Sequence, residues 1–431
     1  MCWKIITTKY NKKVKNGVNV SRETLKKMNK DKYDIYEIIV IGSGLAGSEA
    51  GIISANFGLK TLIINISMDN PSVLKYSAKF GGIINEVLLN KINSLGGFIS
   101  SAIYENKIAK KKEAKDNYFG FLNIVDKRKF SLFYKYCLEN KNNLDTRQGL
   151  VADIVIYNKD TGKKYMVKLS DGSIFFSKAI IISVGTFLNS NIFWGKNEVA
   201  SGRHGEINSK MFYESLKIIG YDFKKEKVFI CPRIDKRSLN LKKVKKIKSE
   251  ENENIELFKK IECAEGYHQD IAWQKYYSFK TKISKNEILK YIKIISKNYK
   301  ADKLEKLLNI PVNKIKLEDS KTDEFEIEML FEGDRTMELY VNEFNFAFSD
   351  EEQNMILSKF YGLENAAIIR PGYCIEYEGL KKEYLRENLE SNIHENIFFA
   401  GEVNGPANYE NIALQGLMAG INASKNILEN K

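Results

Sequence analysis

Apolar positions along the chain follow two different periods, and the change from one to the other marks its elements. Ile38, Ile39, Val40 and Ile41 form an unbroken β-branched run, which predicts a strand buried on both faces. Glycines interrupt it at Gly42, Gly44 and Gly47, and the small-residue stretch SEAGIISANFG then predicts a helix. A second buried strand is expected over Thr61–Asn65. Ala179, Ile180, Ile181 and Ile182 repeat the pattern and run into Gly185 and Thr186. Near the other end, Phe398, Phe399 and Ala400 read as a short strand closed by Gly401 and Glu402. The segment ENIALQGLMAGINASKNI follows as a helix, with Ala413, Gly416, Ala419 and Gly420 on closely related faces. Residues 283–299 carry apolar side chains at helical spacing and predict a core-facing helix. The chain has no internal repeat.

The turn Gly42-Ser43-Gly44-Leu45-Ala46-Gly47 has the G-x-G-x-x-G spacing of a dinucleotide-binding turn. The first glycine permits a tight bend, the second lets backbone approach a pyrophosphate, and the third lets helix pack on strand. Phosphates would then lie on the N-terminal amides of the following helix. The ribose-binding acid expected at the end of the second strand is replaced by Asn65 or a neighbour. The strand ending at Gly185 and the FFAGE segment favour FAD over NAD as the resident ligand. The expected fold is α/β, a discontinuous Rossmann-like FAD-binding domain with an inserted α+β substrate domain. The expected boundaries are 1–35 for a basic, disordered extension, 36–190 with 340–431 for the FAD domain, and 191–339 for the inserted substrate and NADH domain.

Composition narrows this picture only modestly. The 431 residues carry a formal net charge of +13, which favours polyanions such as nucleic acid, although lysine as plain surface cover explains it equally well. No apolar run approaches membrane-spanning length, so no membrane association is expected. The five cysteines and three histidines are scattered without metal-ligand or disulfide spacing, so no metal site is expected and a reducing compartment fits. The expected location is the cytoplasm, and the basic N-terminal extension leaves organelle import open. Lysine-rich residues 241–260 and the aromatic patch Trp273–Phe279 read either as a single-stranded RNA surface or as a solvated helix beside an aromatic core.

These motifs resemble the MnmG (GidA) family of FAD-dependent tRNA wobble-uridine modification enzymes. The matching stretches are GSGLAGSEA, SVGTFLNSNIFWG, SGRHGE, PRIDKRSL, GLENAAIIRPGYCIEY and FFAGEVNGPANYENIALQGLMAGINA, in the family's order. The RPGYCIEY stretch, Arg370 to Tyr377, separates the chain from the shorter folate-dependent TrmFO family. The resemblance implies FAD, with NADH and methylenetetrahydrofolate as co-substrates, and carboxymethylaminomethyl-type addition to wobble uridine in tRNA. It also implies an MnmE-like GTPase partner and a homodimer. Carried over by position, Gly42 to Gly47 form the pyrophosphate turn, and Val151 an adenine-side contact. Ser209 is a flavin contact, Gly185 and Gly401 border the cofactor, and Glu402 replaces the family's usual Gln beside it. Arg203, Arg233 and Arg370 fall near substrate, while PRID reads equally as a proline-fixed turn with an Arg–Asp pair.

The departures lie where the family places its cysteines. Tyr76 occupies one such position, ahead of Gly81 and Gly82, and Lys314 the other. Neither hydroxyl nor ammonium matches a thiolate as a nucleophile. The catalytic group is therefore unassigned, with Cys231, Cys374, Lys79 and Lys314 as candidates; a lowered thiol pKa is expected at Cys231 from its basic neighbours. Both cysteines read alternatively as small buried hydrophobes. The sequence stops soon after the last flavin helix, so the expectation is a short form without the family's C-terminal helical domain. Three readings follow: a wobble-uridine enzyme, a folate- and FAD-dependent uracil methyltransferase on tRNA or rRNA, and a catalytically reduced RNA-binding flavoprotein scaffold.

Overall fold

A computed structural model describes residues 35–115, 118–156, 164–251, 270–308 and 323–429. The N-terminal extension through residue 34, Lys314 and most of the lysine-rich stretch after residue 251 lie outside the described residues.

The β-branched run forms the strand Ile35–Ile41 at the centre of a seven-stranded sheet. Its parallel neighbour Thr61–Asn65 pairs onward with Leu144–Gln148, while Ile174–Ile182 lies on its other side. Tyr165–Leu169 and Val151–Ile156 extend that edge as an antiparallel meander, and Ile397–Phe399 returns from far along the chain to pair in parallel with Ile174–Ile182. Ile38, Ile39 and Val40 are fully buried because helices or chain cover both faces of the sheet.

One of those covers is the helix Leu45–Asn56, buried at every position from Leu45 to Ala55. It packs on the sheet and against the helix Tyr409–Glu429, which lies on the same sheet, and small residues set the spacing between the two helices. A Cβ on Gly416 would stand 2.0 Å from the Ala46 carbonyl oxygen, and one on Gly420 would stand 2.7 Å from that of Ala50. The two backbones touch, which is why the periodic small residues of the C-terminal segment exist.

A six-stranded antiparallel sheet runs in the order Lys245–Lys248, Tyr276–Ser284, Glu324–Phe331, Glu338–Asn342, Arg233–Asp235 and Ile368–Arg370. The helix Lys285–Ser296 packs Ile288, Ile292 and Ile295 into its core, as the helical spacing predicted. Tyr277 and Phe279 are buried in the same core, so the aromatic patch is mainly internal packing. A four-stranded sheet of Asn197–Ala200, Asn191–Trp194, Tyr373–Leu380 and Phe223–Ile230, and a three-stranded one of Lys79–Gly81, Tyr118–Val125 and Lys107–Lys115, complete the sheets among the described residues. No helix among them is long and apolar enough to cross a membrane.

The helix Lys127–Glu139 brings the six-stranded sheet's loops to the rim of the first sheet. Its N-cap, Asp126, accepts from the Arg128 and Lys129 amides and also from the Asp334 amide at 2.9 Å. One carboxylate thereby caps a helix and fixes a distant loop.

Candidate functional site

Two adjoining clefts open at the carboxyl ends of the central strands. The first encloses about 370 Å³ and runs across the glycine turn. Gly42 adopts φ +101°, and a Cβ on Gly47 would stand 1.9 Å from the Gly42 carbonyl oxygen. Bend and helix packing therefore both require glycine here. Gly44 starts the helix with no side-chain cap and no acidic residue in the first turn, so its leading amides are left for an anion. The buried Ser43 Oγ also has no hydrogen-bond partner. An uncapped helix start and an open glycine fit the pyrophosphate of a dinucleotide.

Asn65 takes up a role the missing acid would not explain. Its Oδ1 accepts from the Ser43 amide at 3.2 Å and its Nδ2 donates to the Ser67 carbonyl at 2.6 Å. It buttresses the turn from the end of the second strand and lines the cleft beside Val151. At the opposite end the walls are Gly185, Thr186, Arg203, Ser209, Gly401 and Glu402. Since ribose contacts lie at the end of the second strand in such folds, Asn65 marks the adenosine end and Glu402 the ring end.

The second cleft is wider, about 1130 Å³, and shares Lys75, Arg203 and Glu206 with the first. Its walls carry more cations, among them Lys127, Arg128, Arg233 and Arg370, than carboxylates, which include Glu206, Glu332, Asp334 and Glu338. Arg233 is 7% exposed and donates to the carbonyls of Lys75 (3.1 Å) and Cys231 (3.4 Å) and to Glu332 (3.4 Å). Its partner is thus Glu332, not Asp235, which instead pairs with Arg237 at 2.6 Å. Lys127 reaches the same Glu332 at 2.5 Å, and both cations stand about 5 Å from the Tyr340 ring. Burial pushes the Lys127 ammonium down to about 8, against the pull of Glu332. Glu332 is held below its usual range: burial opposes this, and Lys127 with Arg233 outweighs it. Arg370 is more than half exposed, 3.0 Å from Glu338, and Arg203 makes a two-pronged contact with Glu206 at 2.7 and 2.8 Å.

The candidate nucleophiles fare differently from expectation. Cys231 is 3% exposed, its Sγ donating to Asn345 Oδ1 at 3.3 Å, and burial pushes its thiol up to about 11 despite Arg233. Cys374 lies wholly in the core under the six-stranded sheet, pushed up to about 12 by burial. The expected lowering at Cys231 is overturned, because desolvation exceeds the attraction of one guanidinium. Neither thiol lines either cleft. Lys79 faces Glu328 at 3.7 Å, also away from both clefts, and Lys314 lies outside the described residues.

Tyr76 does reach the ring end. Its hydroxyl donates to Glu402 Oε1 at 2.6 Å, and its amide donates to the Tyr409 hydroxyl at 2.6 Å. Burial first, then Glu402, raises the Tyr76 pKa, so the phenol stays protonated. The residue that sequence reasoning missed is its neighbour Lys75, whose Nζ lies 2.5 Å from Glu402 Oε2. Its only signal was adjacency to the replaced cysteine position.

Residues 37–431 match the family described as Glucose inhibited division protein A. The chain belongs to the GidA family. Among curated GidA relatives, the tRNA uridine 5-carboxymethylaminomethyl modification enzyme MnmG of Karelsulcia muelleri is 32% identical over 91% of this chain. The corresponding MnmG 1 of Fusobacterium nucleatum is 31% identical over 93%. The chain spans 64% of the length of each of these relatives. The solved structure of Aquifex aeolicus GidA in its form II crystal superposes with a TM-score of 0.78 at 25% identity, covering 92% of this chain and 64% of that one. A Rossmann-like fold of the FAD-binding type, expected from the glycine turn, is therefore that of GidA.

Proposed function

We propose that this chain binds FAD in the first cleft and adds a carboxymethylaminomethyl-type group to the wobble uridine of tRNA. The observation that carries the reading is the shared wall: the ring end of the dinucleotide cleft opens, through Lys75 and Arg203, into a cationic groove. The glycine turn would hold the pyrophosphate, Asn65 and Val151 the adenosine end, and Ser209, Gly401 and Glu402 the ring end. FAD supplies two-electron chemistry when bound. Arg128 and Arg370 would take tRNA phosphates, leaving a base directed at the shared wall. NADH as electron donor and methylenetetrahydrofolate as carbon donor complete the reading, with an MnmE-like GTPase as partner and a homodimer as the assembly. The names of the MnmG relatives support this, and so does the family resemblance in SGRHGE and RPGYCIEY.

The test is mass spectrometry of tRNA nucleosides from cells lacking the protein. The modified wobble uridine should disappear and return on complementation. The burial of both candidate thiols favours one alternative, an RNA-binding flavoprotein without base chemistry. Unchanged nucleosides together with tRNA binding by the yellow, flavin-loaded protein would select that alternative.

A further inference from the structure

Lys75 stands where the two clefts meet and is the one lysine that lines both among the described residues. Its side chain is 10% exposed and that of Glu402 7%. Nζ lies 2.5 Å from Glu402 Oε2 and donates to Thr186 Oγ1 at 3.2 Å. The backbone is fixed as well, since the Lys75 carbonyl accepts from Arg233 at 3.1 Å. Glu402 cannot swing away: Tyr76 holds its other oxygen at 2.6 Å, and the Tyr377 hydroxyl donates to its backbone carbonyl at 2.9 Å. Asn65 ends the strand Thr61–Asn65, whereas Glu402 follows Ile397–Phe399, three strands across the sheet, so this clamped ion pair borders the ring of a bound flavin.

Uptake of two electrons and one proton leaves a flavin ring with one negative charge. A fixed cation beside that ring, in a site largely closed to water, stabilises the charge, and a fixed carboxylate opposes it. We propose that Lys75 is the cation that stabilises the reduced flavin ring in this protein, and that Glu402 both positions it and offsets it. The inference rests on the flavin reading above. Burial lowers the Lys75 pKa and Glu402 works against that shift, so the carboxylate also keeps the amine charged.

The experiment is an anaerobic dithionite titration of the flavin-loaded full chain against a reference dye, at about pH 6, where low pH favours the charged amine of Lys75 in the wild type and in Glu402→Gln. Lys75→Met should lower the equilibrium ratio of reduced to oxidised flavin at least tenfold, about 30 mV for a two-electron couple. Glu402→Gln should raise it, the double variant should fall between, and Lys75→Arg should stay near the wild type. Opposite signs for the two single variants are the signature of charge, because a purely structural pair would move both in one direction. Same-sign shifts, or a flavin-loaded Lys75→Met protein with an unchanged potential, overturn the inference while leaving flavin binding intact. Should Lys75→Met fail to retain flavin, Glu402→Gln decides alone, and an unchanged or lowered ratio sinks the proposal. A wild-type protein that takes up no FAD overturns the flavin reading itself, and this inference with it.

Discussion

Gly44 and Gly47 stand three residues apart in one turn, yet the structure assigns them opposite sensitivities. A Cβ on Gly44 meets nothing within 4 Å and its φ is −61°, so alanine fits the fold and projects toward the cleft. Gly44→Ala should therefore melt at or slightly above the wild-type temperature while FAD affinity, measured by flavin fluorescence, falls more than tenfold. A Cβ on Gly47 would strike the Gly42 carbonyl, so Gly47→Ala should cost about 1–3 kcal/mol in denaturant unfolding and lower soluble yield. Equal effects on stability would contradict the packing argument. The motif was legible in the sequence; the division of labour was not, because spacing records neither which Cβ meets backbone nor which meets solvent. The same limit explains Cys231. A lone thiol next to Arg233 looks activated on paper, but burial is a property of the surrounding sheets rather than of neighbouring residues.

The helix Leu45–Asn56 carries a buried acid that couples elements across the fold. Glu49 is 1% exposed, accepting from the Tyr134 hydroxyl at 2.6 Å and the Phe98 amide at 2.8 Å. Burial raises its pKa from 4.5 to about 7, outweighing those hydrogen bonds. The folded chain thus holds a proton that the unfolded chain releases near its ordinary value. The resulting stabilisation is fully present below about pH 4.5 and is lost as pH rises through about 7. The shift corresponds to about 3 kcal/mol. Glu49→Gln should remove most of this slope, so that the stability difference between variant and wild type changes sharply between pH 5 and 7. Urea unfolding at several pH values checks it, and parallel curves for the two proteins would refute it. At this scale the sequence pattern served well for buried strands and for the helix Lys285–Ser296, whose periods are local. The antiparallel order of the six-stranded sheet was not readable, because its pairings join residues such as Arg233 and Tyr340, more than a hundred positions apart.

For the molecule as a whole, charge and topology set different kinds of behaviour. If the cationic groove takes tRNA, affinity should fall steeply with salt, since each neutralised phosphate releases counterions. Arg128 is exposed on the groove wall, and Arg128→Ala should weaken binding to all tRNAs alike. It should also reduce the slope of log affinity against log salt by about 1. Filter binding across a salt series measures both, and an unchanged slope would remove Arg128 from the interface. The topology has a separate consequence, which concerns synthesis. The strand Ile397–Phe399 lies against Ile174–Ile182, and the helix Tyr409–Glu429 presses its glycines onto Leu45–Asn56. A ribosome therefore delivers the glycine turn some three hundred and fifty residues before its supporting wall. Until that wall emerges, the nascent helix lacks the backbone surface it packs against, so the cofactor can be captured only after residues 397–429 have been made.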